Sequence, residues 1–225
     1  MSSTFTLPDA SARDDLRTFL GRAQRVEDGS VRLISTGGVL AAYVAVLYPI
    51  GLLDETPTVL GLRTVALVKP EDFDAVVPIQ SFLHRLELAT ADADGRVEVA
   101  VPHEVATVTW AGISPPRGGW LTLDPTRAGV LERNAKAGIE EVAAAVPTGT
   151  GAQLVQRVRT EVWGRPMDEL EHVPAGAAFA AVSLGFLGGS GADDEVAILE
   201  SGPWTRLSTP RGHVLVKRRA WTLAR

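Results

Sequence analysis

Apolar positions along the chain change their spacing several times, and each change marks a predicted element. Leu16, Phe19, Leu20 and Ala23 recur at helical spacing within residues 9–25, with Asp9 or Ser11 placed to cap the start. Past "DGS" (28–30) the pattern shortens. "VRLIS" (31–35), a "TGG" turn and "VLAAYVAVLY" (39–48) predict a hairpin whose second strand, apolar on both faces, is central. "TVLGLRTVALV" (58–68) has the same β-branched character. Pro78 then opens a short predicted helix with Ile79, Phe82 and Leu83 facing inward. "LELAT" (86–90) and "RVEVAVP" (96–102), joined by "ADADG", read as another hairpin, and "EVATVTW" (104–110) as the next strand.

Beyond residue 120 the spacing becomes helical. Asp124 followed by Pro125 predicts a helix start, an N-cap carboxylate and then proline in the first turn. Ala128, Leu131, Ala135, Ile139, Val142 and Val146 continue it as one stripe until Pro147. A second helix is predicted at 152–163, on Leu154, Val155, Val158 and Val162, and a buried third within "GAAFAAVSLGFLGG" (176–189). "EVAILE" (195–200), "WTRLST" (204–209) and "HVLVK" (213–217) close the chain with a hairpin. The expectation is an α+β fold. Its N-terminal half is sheet-rich, with about six mostly antiparallel strands and one or two helices. Its C-terminal half is helical and closed by a β-hairpin. The halves divide as residues 1–112 and 113–225 and are expected to pack as one unit. "RLISTGGVL" (32–40) and "RLSTPRGHVL" (206–215) look alike, which raises a duplicated hairpin as a possibility.

Composition narrows the function classes. The 225 residues are 45% hydrophobic and 22% charged, enough apolar surface to offset ordering entropy. The longest apolar run, 39–53, is broken by Pro49 and Gly51 and falls short of the roughly 20 residues that cross a bilayer. With no secretory pattern at the start and no cysteine, a soluble, cytoplasmic protein is expected, without disulfides or Cys-based metal sites. The net charge of −5 argues against nonspecific nucleic-acid binding over the whole surface. Charge is nevertheless uneven: no acid follows Glu200, whereas Arg206, Arg211, Lys217, Arg218 and Arg219 form a candidate basic patch.

Motifs with catalytic chemistry are missing at the critical positions. "GTGAQL" (149–154) has Leu154 where a dinucleotide loop needs its third glycine, and it follows a helix rather than a strand. Ser190 in "GGSGA" lacks the second glycine of a nucleophile elbow, because residue 192 is alanine. His84, His103, His172 and His213 are scattered, and Thr107 stands where a His-Glu zinc helix needs its second histidine. No metal and no cofactor are expected. Asp54 and Glu55 are adjacent carboxylates in a loop, with Arg63 on the next strand as their candidate partner. Together with Arg117 these four outline an enzyme alternative acting on a small polar or anionic substrate. Three helices and a basic hairpin raise a second alternative, nucleic-acid binding. Against it, the third helix has Ser183 as its only polar side chain and cannot read a groove.

"VTWAGISPPRGGW" (108–120) is the remaining candidate. Trp110, Arg117 and Trp120 are residue types enriched at protein interfaces, in a loop that is either a binding loop or a stiff strap. "TWAGISPPRGGW", with the preceding "LLDETPTVLGLRTVAL", resembles an uncharacterised conserved family of actinobacteria over roughly the first 120 residues. That resemblance implies no activity, fold or site residue. The sequence therefore points first to a non-catalytic module that binds a protein partner or self-associates, ahead of small molecules, nucleic acid or membrane.

Overall fold

A computed structural model describes residues 3–27, 29–51, 54–105, 108–146, 151–189 and 191–218. The chain divides into two compact units, Met1–Ala45 with Leu62–Ile113, and Val46–Gly61 with Ser114–Arg225.

The first unit begins with β1 (Thr4–Leu7) and α1 (Ala10–Val26). Leu16, Phe19, Leu20 and Ala23 are the buried stripe of α1, and the Asp9 carboxylate accepts the Ala12 N–H at 2.8 Å. There follow β2 (Ser30–Thr36), β3 (Val39–Leu47) and β4 (Thr58–Ala66), the last two lending their ends at 46–47 and 58–61 to the second unit. The β2–β3 turn holds only Gly37 and Gly38, both at positive φ, where a side chain would be strained. β5 (Phe73–Pro78), α2 (Ile79–Leu88) and β6 (Val97–Ala100) complete the unit. Its strands run in the order β5-β2-β3-β4, with β1 and β6 as a separate pair. Across the inner face, Val31 lies between Val44 and Val77, and Leu33 between Ala42 and Ala75. All six are buried. Phe5 closes this core, 6.1 Å from the rings of both Phe73 and Phe82.

The second unit holds β7 (Leu121–Arg127), α3 (Ala128–Ala145), α4 (Ala152–Gly164), β8 (Pro166–Met167), β9 (Leu170–Pro174) and α5 (Ala175–Ser183). A meander follows, β10 (Glu195–Ser201), β11 (Trp204–Thr209) and β12 (Gly212–Lys217). Its sheet runs β7-β10-β11-β12-β4. The alanine-rich α5 packs on α3 and β12, and Trp163 of α4 stacks on Phe179 of α5 at 4.4 Å.

Four expectations are overturned. The halves are not sheet-rich and helical. Among the described residues β1–β6 lie before residue 112 and β7–β12 after it, with helices in both. The largest misreading is at Asp124 and Pro125, which do not start a helix. They sit in an irregularity of the β7–β10 ladder, between the pairs Leu123–Ile198 and Thr126–Val196, where the ladder asks no N–H of a proline. The helix begins at Ala128 instead. The hairpin over 86–102 is also absent. Leu86 belongs to the buried face of α2 with Ile79 and Phe82, and β6 pairs with β1. Residues 109–112 form a 3-10 turn rather than the end of a strand.

The two similar hairpins are not equivalent in the fold. Each unit contains a three-strand meander that follows a helix, with a further strand, β5 or β7, beside its first strand. "RLISTGGVL" is the first hairpin of one meander, β2–β3, whereas "RLSTPRGHVL" is the second hairpin of the other, β11–β12.

Candidate interaction site

In the first unit, Arg63 does not pair with Asp54 or Glu55. Its guanidinium forks onto Asp15 of α1, at 2.7 and 2.6 Å. Trp110 is buried in the 3-10 turn, whose Ala111 carbonyl accepts from Arg32. Arg32 also forks onto Asp74 at 2.8 and 2.6 Å, and that carboxylate raises its pKa. Trp110 is thus a core side chain. A cavity of about 260 Å³ lies beside β5, lined by Ser3, Asp74, His103 and Glu104 among others. No group of three or more His, Asp or Glu among the described residues is arranged to hold a metal ion.

In the second unit Asp54 organises its own loop. Its carboxylate accepts the Ile50 N–H at 2.8 Å, the Thr56 N–H at 2.9 Å and the Thr56 hydroxyl. Glu55 is exposed beside it. This is the hydrogen-bonding of an Asx turn.

The loop 114–120 lies on one face of the β10–β11–β12 meander. Strand alternation puts Leu199 and Ser201 of β10, Trp204, Arg206 and Ser208 of β11, and His213, Leu215 and Lys217 of β12 on that face. The Ser201 hydroxyl reaches the Gly118 carbonyl at 3.5 Å. Trp120 donates its indole N–H to the Pro116 carbonyl at 3.2 Å, which fixes the ring, and the Arg206 guanidinium lies 4.8 Å above it. Arg117 is exposed in the same turn. His213 Nδ1 and the Ser208 hydroxyl meet at 3.0 Å across the strands.

The described residues of the predicted basic patch differ in their surroundings. Arg218 pairs with Glu200 at 2.9 Å, Arg211 packs against Gly188 and Gly189 at the hairpin tip, and Arg219 lies outside the described residues, as does Ser190. Arg206 and Lys217 remain together, diagonal neighbours on the face that carries Trp120. Among the described residues the buried Arg206 Nε has no hydrogen-bond partner, and burial lowers its pKa.

One feature was missed by sequence reasoning. β7 is the terminal strand of the sheet, and residues 121–125 are all exposed. Leu121 is 72% and Leu123 37% exposed, so two large apolar side chains stand outward two residues apart on this strand. The period-two signal, Leu-Thr-Leu, was present at 121–123, but the Asp-Pro pair behind it read as a helix cap.

Residues 1–112 match a family model described as Domain of unknown function (DUF8010), and residues 115–221 match Domain of unknown function (DUF8185). The expected resemblance to uncharacterised proteins is borne out at this level. No curated protein matches the chain. Among solved structures it is similar to Caulobacter crescentus pol III beta, at 12% identity and TM-score 0.47, over 96% of this chain and 65% of that one. It is also similar to a DnaN sliding clamp from Bartonella birtlesii bound to griselimycin, at 14% identity and TM-score 0.45, over 99% and 66%. A putative DNA polymerase III beta subunit from Eubacterium rectale gives 8% identity and TM-score 0.47, over 95% and 64%. The chain spans slightly under two thirds of the length of these structures. At this level the likeness assigns no activity and no partner.

Proposed function

From a pair of domains of unknown function, we propose a non-catalytic module that self-associates by protein–protein contact, with the open edge of β7 as its contact strand. The observation that carries this reading is the exposure of residues 121–125 on a terminal strand with two outward leucines. Such an edge presents unpaired backbone donors and acceptors, a template for another strand.

The sequence of β7 favours a second copy of the chain as that strand. Leu121, Leu123 and Pro125 alternate with Thr122 and Asp124. Antiparallel pairing about a two-fold axis at Leu123 sets Leu123 against its own copy, Leu121 against Pro125, and Thr122 against Asp124. Apolar thus meets apolar, and a hydroxyl meets a carboxylate. Pro125 and the ladder irregularity end the pairing there, which keeps the contact short and reversible.

The alternatives have less support. Arg63 is engaged by Asp15 and Asp54 by its own turn, so the proposed enzyme site loses two of its four groups. Binding along a nucleic acid draws on many phosphate contacts, and Arg218 is already paired with Glu200 within the chain. No helix among the described residues is long and apolar enough to cross a membrane. A cytoplasmic setting is part of the proposal, in keeping with a chain without cysteine.

Sedimentation velocity over a concentration series tests the reading. The expected outcome is a dimer fraction that rises with concentration and is lost in Leu123→Lys, where like charges would face each other. Leu88→Lys, at an exposed position of α2 in the first unit, should leave the series unchanged. A single monomeric species at every concentration overturns the proposal.

A further inference from the structure

Several arginines of this chain hold a carboxylate in a fork. Arg32 has Asp74, Arg63 has Asp15 and Arg165 has Glu141. Arg206 has the surroundings of such a site without the acid. Its guanidinium is stacked on Trp120, and the ring is itself locked by the Pro116 carbonyl. Its Nε is buried with no acceptor among the described residues, and burial lowers its pKa. A partly dehydrated cation without a counter-charge costs the fold free energy, and an anion arriving from outside recovers it.

We propose that Arg206, held over Trp120 on the face of the β10–β11–β12 meander that carries the loop 114–120, receives a carboxylate from an acidic segment of a partner protein. With Nε occluded, the ligand meets the two Nη groups end-on, a planar match to a carboxylate. Lys217 lies diagonally across β12, and Arg117 stands exposed in the turn that holds Trp120. Neither makes an ion pair among the described residues. One forked receptor flanked by two looser cations suits a segment with a few spaced carboxylates. A nucleic acid would draw instead on a broad basic surface, whereas this chain carries a net charge of −5. The site uses a different face from the β7 contact and does not depend on it.

Calorimetric titration of the full chain with an acetylated oligoglutamate peptide tests the assignment, with inorganic phosphate and an oligonucleotide of matched charge as separate arms. Oligoglutamate should bind, and Arg206→Met should weaken it about ten-fold or more, because the fork is lost while the stem over Trp120 is kept. The same variant should have an unchanged or higher melting temperature, because it removes a dehydrated, uncompensated charge. Lys217→Gln should weaken binding less. Leu123→Lys, expected to be monomeric, should bind as the parent does, so failure of self-association and failure of this site are told apart. Equal oligoglutamate affinity in Arg206→Met overturns the proposal, and so does a melting temperature lowered by that substitution. Binding of the oligonucleotide in preference to oligoglutamate overturns the partner class. Phosphate binding as tight as oligoglutamate does the same, by reducing the site to a bare anion.

Discussion

At position 138 a β-carbon would lie 2.3 Å from the Trp163 ring, and that ring is already stacked on Phe179. In an exposed helix, glycine to alanine gains about 1 kcal/mol. Here the added methyl overpacks a filled site, which costs about 1–3 kcal/mol and more where an aromatic stack must shift. The cost wins. Gly138→Ala should lower the urea midpoint with an unchanged slope, while Gly118→Ala, where no atom lies within 4 Å, should not. The same residue explains part of what was legible. Apolar spacing predicts a stripe of Ala128, Leu131, Ala135, Ile139, Val142 and Val146, yet on α3 burial passes from Ala135 to Gly138 and leaves Ile139 exposed. A glycine carries no hydrophobic signal, so the position that admits Trp163 could not be read from apolar spacing. Trp120 was legible only by type. Its half-buried setting over the strand face depends on Arg206, 86 residues further along the chain, whose place beside it is fixed by strand register.

Among elements, β7 decides most. Asp-Pro is a strong local helix signal, but Leu121, Thr122 and Leu123 pair with Glu200, Leu199 and Ile198 of β10. Cross-strand pairing overrides the local preference, as it commonly does for short strands. By contrast α1 was legible to within a residue, because cap and stripe lie inside one segment and need no distant partner. α2 was half legible: its start at Pro78 was read, but Leu86 was assigned to a strand through its alternation with Leu88. Proline in β7 also has a consequence for assembly. Pro125→Ala restores a backbone donor on the edge and lengthens the strand available for pairing. Dimer or larger species should therefore form at lower concentration than in the parent, measured by light scattering on the same concentration series. An unchanged or weakened association would remove β7 as the contact strand.

At the scale of the molecule, the sequence families and the structural units do not divide the chain in the same place. The family boundary falls at 112–115, whereas the second unit draws Val46–Gly61 from the first family's segment. Leu47 packs 3.3 Å from the β-carbon position of Gly176, and Pro57 3.7 Å from that of Gly164. A fragment starting at residue 114 thus lacks buried side chains of its own unit, including Val59 and Leu60. Expressed alone, it should melt at lower temperature than the full chain or fail to fold, and residues 1–112 supplied in trans should raise its melting temperature. A fragment as stable as the full chain would show that the borrowed segment is dispensable. The run of prolines and glycines after residue 112 is a local signal that sequence reading can use. The borrowed segment has no such signal, since no local pattern distinguishes a strand end that serves the next unit from one that serves its own.

That segment also sets a clock on synthesis. Val46–Gly61 leaves the ribosome well before β12, the strand beside β4 in its sheet, which ends at Lys217. At about 5–20 residues per second, its apolar side chains wait roughly ten seconds or more for the rest of their unit. During that interval Leu47, Val59 and Leu60 lack their final cover, and transiently exposed apolar surface of this kind is what makes a nascent chain prone to aggregate.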